Sequence, residues 1–386
     1  MPGQFLHGVE VVELDGGPRP IRTVKSSVIG LVGTAPDADA TLFPLNTPVL
    51  IAGRRSEAAP LGTSGSIPSA IDGIFDQAGA MVVVIRVETD DDPNQQLAHV
   101  LGGVNTDTGD YEGLQALLAA ESLLGVAPRI LIVPGFSEQQ AVVSELMGIA
   151  ERLRAVIIAD GPSTNDAAAI AYRQNFGSAR VYIVDPKARV FDVATASEKV
   201  EPMSPRVAGL ISRSDNDRGF WWSPSNLEIY GIIGTERAVD FTLGDTNARA
   251  NYLNENEVAT VIQKTGFRLW GNRTCSSDPK WAFLSVRRTA DMINESLLRA
   301  HLWAVDRNIT KTYLEDVTEG VNAYLRDLKA IGAIIGGECW ADPALNTPSN
   351  ISQGKVFFDF DFTPPFPAEH VTFRSSLVND YLEEIV

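Results

Sequence analysis

The sequence predicts an α/β fold, α+β overall, with a partly parallel sheet in the middle of the chain and helices with an alternating strand in the last third. Three observations carry this. The middle of the chain alternates strand, helix, strand, helix, strand, the pattern of parallel βαβ units. The last third changes to long amphipathic helices followed by an alternating strand. Both ends read as lone apolar strands, set off from the body by glycine or proline.

The elements follow in chain order. Val9, Val11, Val12 and Leu14 form a strand ahead of Gly16, Gly17, Pro18 and Pro20. An apolar strand carries N–H and C=O groups that must find partners. If the joint holds it off its own domain, the nearest partner is a neighbouring chain's sheet edge. Residues 27–33 and 47–51 supply strand material, 60–68 is a loop punctuated by Gly62 and Gly65, and 67–78 forms a short helix. The β-branched run 81–87 reads as a buried strand, ended in water by Asp90, Asp91, Asp92 and Pro93. Strands follow at 129–135, 155–160 and 180–186, separated by helices at 138–153 (Val142, Leu146, Ile149, Leu153) and 166–176. A helix is predicted over 287–305, with Ile293, Leu297, Leu298, Leu302 and Val305 on one face. Leu314, Val317, Val321, Leu325 and Leu328 mark another, with Gly332 and then Gly336 and Gly337 available to stop it. Val356, Phe358, Phe360 and Phe362 alternate with Asp359 and Asp361, as in a half-buried strand. Behind Pro364, Pro365 and Pro367, Val371, Phe373, Leu377 and Leu382 form the second terminal arm.

The chain has 386 residues, enough for two or three domains. Its longest apolar runs fall well short of the ~20 residues of a membrane helix, and the first residues lack a basic, signal-like segment, so a soluble protein made in the cytoplasm is expected. Asp and Glu number 49 against 32 Lys and Arg, a formal charge of −17. That balance repels nucleic acid and anionic lipid, so neither nucleic-acid binding nor direct membrane insertion is expected. It also repels copies of the chain, so a polymer needs short-range contacts or charge patterning. Cys275 and Cys339 are expected as free thiols.

Motifs for chemistry are sparse. His7, His99, His301 and His370 are scattered and lack the close pairing of zinc ligands. The stretches around Gly30, Gly33, Gly231 and Gly234 match neither G-x-G-x-x-G nor a phosphate loop, and no G-x-S-x-G elbow occurs. Asp160 and Asp185 fall at the C-terminal ends of predicted parallel strands, where α/β enzymes place ligands, but without a base, nucleophile or cofactor fingerprint they read as caps and turn formers. Asp107, Asp110 and Glu112 miss the EF-hand order and read as a solvated loop. Trp221 and Trp222 read as packing at a domain or subunit junction. No catalytic, cofactor-binding or metal-ligating residue is assigned.

The ordered set of segments carries a resemblance. Residues 7–9, 19–21 with 26–36, 43–49, 204–211, 217–226, 270–274, 286–288 and 367–371 together resemble contractile tail sheath proteins, most closely the sheath of R-type pyocins and related contractile phages. The likeness runs nearly end to end. It implies a helical homopolymer around an inner tail tube, meeting baseplate and tail-terminator proteins, held metastable and contracting to drive the tube through a bacterial envelope. It also implies assembly in the bacterial cytoplasm and release by lysis. The division it implies is an exchanged arm and linker at 1–21, an outer α/β domain at 22–265, an inner α+β domain at 266–363 completed by strands exchanged between subunits, and a C-terminal linker and arm at 364–386. Gly16, Gly17, Pro18, Pro364 and Pro365 would act as hinges. A helix carrying Glu315, Asp316, Glu319, Arg326, Asp327 and Lys329 would face the tube. A non-contractile self-assembling shell, and an α/β nucleotide-binding enzyme, are the alternatives.

Overall fold

A computed structural model describes residues 21–193 and 195–381. The predicted arm residues Val9, Val11, Val12 and Leu14, the joint Gly16, Gly17 and Pro18, and Leu382 lie outside the described residues. The chain divides into two compact units. One comprises Ser27–Arg288 with the described part of Phe366–Val386; the other comprises the described part of Met1–Ser26 with Thr289–Pro365.

The larger unit is built on β1 (Ile29–Thr34), β2 (Val49–Ala52) and β3 (Met81–Val87), with α1 (Ser66–Phe75) between the last two. Helix α2 (Pro93–Leu101) follows, started by the Asp92 side chain accepting from Asn94 N with Pro93 in the first turn. A small hairpin of β4 (Gly103–Val104) and β5 (Tyr111–Glu112) leads to α3 (Ala120–Leu124). Then come β6 (Ile130–Ile132), α4 (Gln140–Leu153), β7 (Val156–Asp160), α5 (Asp166–Arg173) and β8 (Val181–Val184). A second hairpin, β9 (Ala188–Asp192) and β10 (Ser197–Glu201), precedes α6 (Ser204–Arg218) and pairs with β11 (Gly234–Thr235). Helix α7 (Arg249–Glu255), β12 (Val258–Gln263) and β13 (Phe267–Trp270) close the unit.

The main sheet has eight strands in the order β13-β12-β8-β7-β6-β1-β3-β2. Five neighbouring pairs are parallel; β2 and β13, at the two edges, run antiparallel to their neighbours. The predicted partly parallel sheet is thus present. Because successive strand side chains alternate faces, Ile29, Leu31, Val82 and Val84 join one core with Ile67, Ile71, Val207 and Leu210 of α1 and α6. Val28, Val32, Val83 and Ile85 join the other with Val142, Leu146 and Ile149 of α4. Both faces are covered, as a parallel sheet requires.

The pairing of β13 with β12, Thr260 opposite Trp270, keeps the chain after 265 in the larger unit. The division therefore falls between Arg288 and Thr289, beyond the boundary expected from sequence. It lies inside α8 (Leu284–Ala300). The first turn of α8 is held within the larger unit by a buried fork: Arg288 Nη1 and Nη2 donate to Asp215 Oδ1 and Oδ2 of α6 at 2.8 and 2.5 Å.

The smaller unit contains the rest of α8, α9 (Lys311–Ala330), β14 (Gly336–Ala341), α10 (Pro348–Ser352) and β15 (Phe358–Thr363). Helix α9 begins where Thr310 Oγ1 accepts from Tyr313 N and ends ahead of Gly332, whose φ of 80° continues the chain in the left-handed region. Gly336 and Gly337 belong to β14 instead of a helix stop. Helix α8 is shorter than its apolar spacing predicts: it ends at Ala300, and Leu298, Leu302 and Val305 are exposed.

Candidate assembly interface

In the smaller unit, α9 buries Val317, Val321, Tyr324, Leu325 and Leu328 and lies along β14. Strands β14 and β15 form an antiparallel two-stranded sheet, with Cys339 opposite Phe360 and Glu338 opposite Asp361. Its helix-facing side carries Cys339 and the phenylalanines Phe358, Phe360 and Phe362. Cys339 is buried, but the three phenylalanines are only half-buried. Its other side carries Glu338, Trp340, Asp359 and Asp361, all exposed. Two-stranded sheets are marginal in water, and each has two edges of unused backbone groups.

The two edges differ. Asn322 of α9 reaches the β14 edge: its Nδ2 donates to Cys339 O at 2.9 Å, and its Oδ1 accepts from Cys339 N at 2.8 Å. The side-chain amide thus stands where a neighbouring strand's peptide group would. Cys339 therefore points its backbone groups away from β15. By the alternation of an antiparallel ladder, Phe360 opposite it points its own away from β14, and so do Phe358 and Phe362. Among the described residues no strand covers that edge.

Residues 364–378 have no regular secondary structure. Pro364, one of the expected hinges, is buried, and Pro365 is half-buried. The segment is held in the larger unit a few residues later. Arg273 Nε donates to Glu369 Oε1 at 2.7 Å and Nη2 to Oε2 at 2.5 Å, a bidentate charge-assisted fork. The Arg273 guanidinium lies 5.3 Å from the Phe283 ring centre, and Phe283 meets Phe366 edge-on at 6.2 Å. Beyond this fork Val371 is 64%, Phe373 92% and Leu377 100% exposed. The start of the described chain is fastened within the smaller unit: Thr23 Oγ1 lies 3.0 Å from Tyr324 Oη, and Val24 N donates to Ser296 Oγ at 3.1 Å.

The charged residues of α9, Glu315, Asp316, Glu319, Arg326, Asp327 and Lys329, are all exposed on the side opposite its buried stripe. Two ion pairs lie along it, Lys311 to Glu315 at 3.5 Å and Arg326 to Glu319 at 2.5 Å. The face is a mixed-charge surface with side chains free to exchange partners.

The strand ends that could have held a ligand are filled by protein. Asp160 accepts from Met203 N, Ser204 N, Ser204 Oγ and Ser137 Oγ at 2.7, 2.8, 2.5 and 3.1 Å, which pins the start of α6 to the end of β7. Burial pushes its carboxyl up to about 6 against these hydrogen bonds. Asp185 accepts from Ser163 N at 2.7 Å and from Arg237; burial raises its carboxyl although the guanidinium opposes this. Among the described residues no three metal-ligating side chains converge, and no helix is long and apolar enough to cross a membrane. Cys275 and Cys339 are both free and buried, and burial pushes their thiols up to about 12 and about 11. Trp221 packs edge-on against Phe220 at 5.1 Å, while Trp222 is half-exposed with the Arg218 guanidinium 5.2 Å from its ring centre.

Asn322 was not singled out by sequence, since nothing in one asparagine on a helix announces a bridge to a strand. Arg273 and Glu369 lie in two of the stretches that carried the resemblance, though their pairing across 96 positions was not legible.

Comparison with known proteins gives one consistent result. Residues 109–275 match the model of the phage tail sheath protein central domain, 276–377 that of the phage tail sheath C-terminal domain, and 26–87 that of the tail sheath protein Gp18 domain III N-terminal region. The chain is 47% identical over 383 residues to a putative prophage major tail sheath protein of Pseudomonas aeruginosa, covering 99% of each. It is 38% identical over 389 residues to the tail sheath protein of Escherichia phage P2, covering 99% of this chain and 98% of that one. In fold it is similar to the contracted helical sheath of the anti-feeding prophage, with a TM-score of 0.73 at 19% identity over 97% of this chain and 99% of that one. The contracted sheath of an extracellular contractile injection system, PVC, gives 0.71 at 16% identity over 98% and 99%.

Proposed function

This chain belongs to the phage tail sheath family and is a structural subunit of a contractile tail sheath, and from that premise we propose that its terminal segments are strands given to other copies, and that the β14–β15 sheet receives them. The observation that carries the reading is the presence, in one chain, of the exposed Val371, Phe373 and Leu377 and of a two-stranded sheet whose phenylalanine row is only half-buried and whose β15 edge has no strand beside it among the described residues. Each is unfavourable alone, and each is what the other lacks. Every ladder hydrogen bond gained adds about 0.5–1.5 kcal/mol, and burial of Phe373 and Leu377 adds about 1.5–3 kcal/mol each. Residues 7–14 would supply the second strand.

The wider assembly follows from the same reading. The polymer encloses an inner tube, is bounded by baseplate and terminator proteins, assembles in the bacterial cytoplasm and leaves by lysis within a tail or a bacteriocin particle. The charged face of α9 suits a tube contact that forms and later breaks, because exposed ion pairs are weak and interchangeable. The role is structural, with force coming from rearrangement of subunits.

Deleting 371–386, or 1–14, tests the exchange. Each truncated subunit should remain folded by circular dichroism yet fail to form sheaths in electron micrographs. Sheaths of normal length and diameter from either truncation would end the proposal.

A further inference from the structure

We propose that the C-terminal end of α6, where Arg213 and Arg218 stack on Tyr230 and Trp222, is a contact between copies of this chain, and that the acidic segment 88–92 of a second copy occupies it. The inference needs only that the chain polymerises; it is independent of the strand exchange above.

The surface gathers cations that lack a counter-charge. The Arg213 guanidinium lies 4.2 Å from the Tyr230 ring centre, and that of Arg218 5.2 Å from the Trp222 ring centre. Arg213 donates to Glu228 O, and Arg218 Nη2 donates to Ser214 Oγ at 2.9 Å and Ser223 O at 3.0 Å. Beside them Arg268 of β13 donates to Asn226 O at 2.8 Å and Lys264 O at 3.0 Å. All of these acceptors are uncharged, and Arg213 Nη1 and Arg218 Nε are buried with no acceptor. Among the described residues none of the three guanidiniums has an ion pair. Burial pulls Arg218 below the usual arginine range; Asp217 opposes this and Arg213 adds to it. A guanidinium cut off from water and given only neutral acceptors is stabilised by a carboxylate brought beside it. The rings they stack on are half-exposed, Trp222 by 49% and Tyr230 by 46%. Arginine with large aromatics is the composition that protein interfaces concentrate.

The occupant follows from charge complementarity. The densest acidic run of the chain is Glu88, Asp90, Asp91 and Asp92, four carboxylates in five residues, all exposed. Its backbone is fixed: Gln96 Nε2 donates to Glu88 O at 3.1 Å, and Gln96 Oε1 accepts from Asp90 N at 3.0 Å. Among the described residues no cation pairs with these four carboxylates. The larger unit thus carries unpaired cations on one surface and unpaired carboxylates on another. In the main sheet β13 is one edge, and β3, which the acidic segment follows, lies next to the opposite edge strand. The two surfaces are different parts of the subunit, so a contact between them is head-to-tail. Head-to-tail contacts that do not close on themselves build open helices, the form of a sheath. Such a contact also supplies the charge patterning by which copies with a net charge of −17 can meet.

Two measurements test it. Glu88 and Asp91 are exposed, so Glu88→Arg with Asp91→Arg should melt as the parent does. It should nevertheless lower the yield of sedimentable sheath about tenfold, equivalent to about 1.4 kcal/mol. Parental yield overturns the assignment. In the second, a photo-crosslinking side chain replaces Asn216, which is exposed on α6 between the two arginines in sequence. Irradiated sheath should give covalent dimers on denaturing gels, with the attachment mapped by mass spectrometry to residues 88–92. Attachment elsewhere on the second copy, attachment to a tube or baseplate protein, or assembled sheath that gives no dimer overturns it as well. If these results go against the contact while deletion of 371–386 still blocks assembly, strand exchange stands and only this contact falls.

Discussion

At the residue scale, single polar side chains decide what the sheets can do. Asp160 is buried among four donors, and its carboxyl is raised to about 6 from an ordinary value of 3.8. A raised carboxyl means that its charged form is disfavoured in the folded state. Its contribution is therefore greatest below the unfolded value and is lost as pH rises through about 6. Relative to an Asp160→Asn variant, the parent should gain stability on going from pH 7 to pH 4, by on the order of 2–3 kcal/mol. Thermal melts of both proteins across that range check this; parallel curves would contradict it. Asn322 acts differently. Replacing it with alanine leaves the Cys339 N–H and C=O without their partner, at about 1–3 kcal/mol if they stay dry. Asn322→Ala should therefore lower the melting temperature of the subunit. If instead it leaves the melt unchanged and raises sheath yield, the β14 edge is the receiving one.

At the element scale, periodicity was legible where it was pure. The run 81–87 is β3, apolar because both its faces are buried, while the 3.6-residue spacing from Val142 to Leu153 is α4 and the stripe from Val317 to Leu328 is α9, each burying one apolar face. Helix α6 was not assigned. Arg206 and Ser212 are buried on it, and the side chain of Asp215 is almost wholly covered, with Arg206 paired to Glu201 and Asp215 to Arg288, so its core face does not look apolar. Helix α2 hid behind its own cap: Asp92 and Pro93 read as the end of a strand, and they are also the start of a helix. Helix α8 erred the other way, since Leu298, Leu302 and Val305 keep the spacing but remain exposed. At the C-terminal joint Pro364 is buried and Pro365 half-buried, and beyond them the Arg273–Glu369 fork holds the chain within the larger unit. An Ala368→Cys spin label should accordingly be less mobile than one at Leu377 in the free subunit, and Arg273→Glu should mobilise only the first. Equal mobility in the parent would contradict a holding role for the fork. The wet face of α9 belongs to this scale too. Reversing Glu315 and Glu319 should weaken tube attachment, read by co-sedimentation, without changing the melt; unchanged attachment would remove this face from the tube contact.

At the scale of the whole molecule, the eight-stranded sheet is covered on both faces, and among the described residues the two-stranded sheet of the smaller unit has no strand beside β15. Strand pairing is directional and local, so subunits can reorient about short linkers while their ladders persist. The formal charge of −17 makes copies repel at long range, so short-range contacts must decide which surfaces meet. The β14–β15 sheet was half legible: Phe358, Phe360 and Phe362 announced a strand, but its pairing with β14 and the Asn322 bridge at the far edge appear only in the structure. The most direct measurement is a pair of density maps of the polymer, before and after contraction is triggered. The account predicts two helical lattices of different length and width, with residues 371–377 of one copy paired to the β15 edge of another in both. Maps in which that segment folds back on its own subunit, or in which the pairing is broken in either lattice, would contradict it.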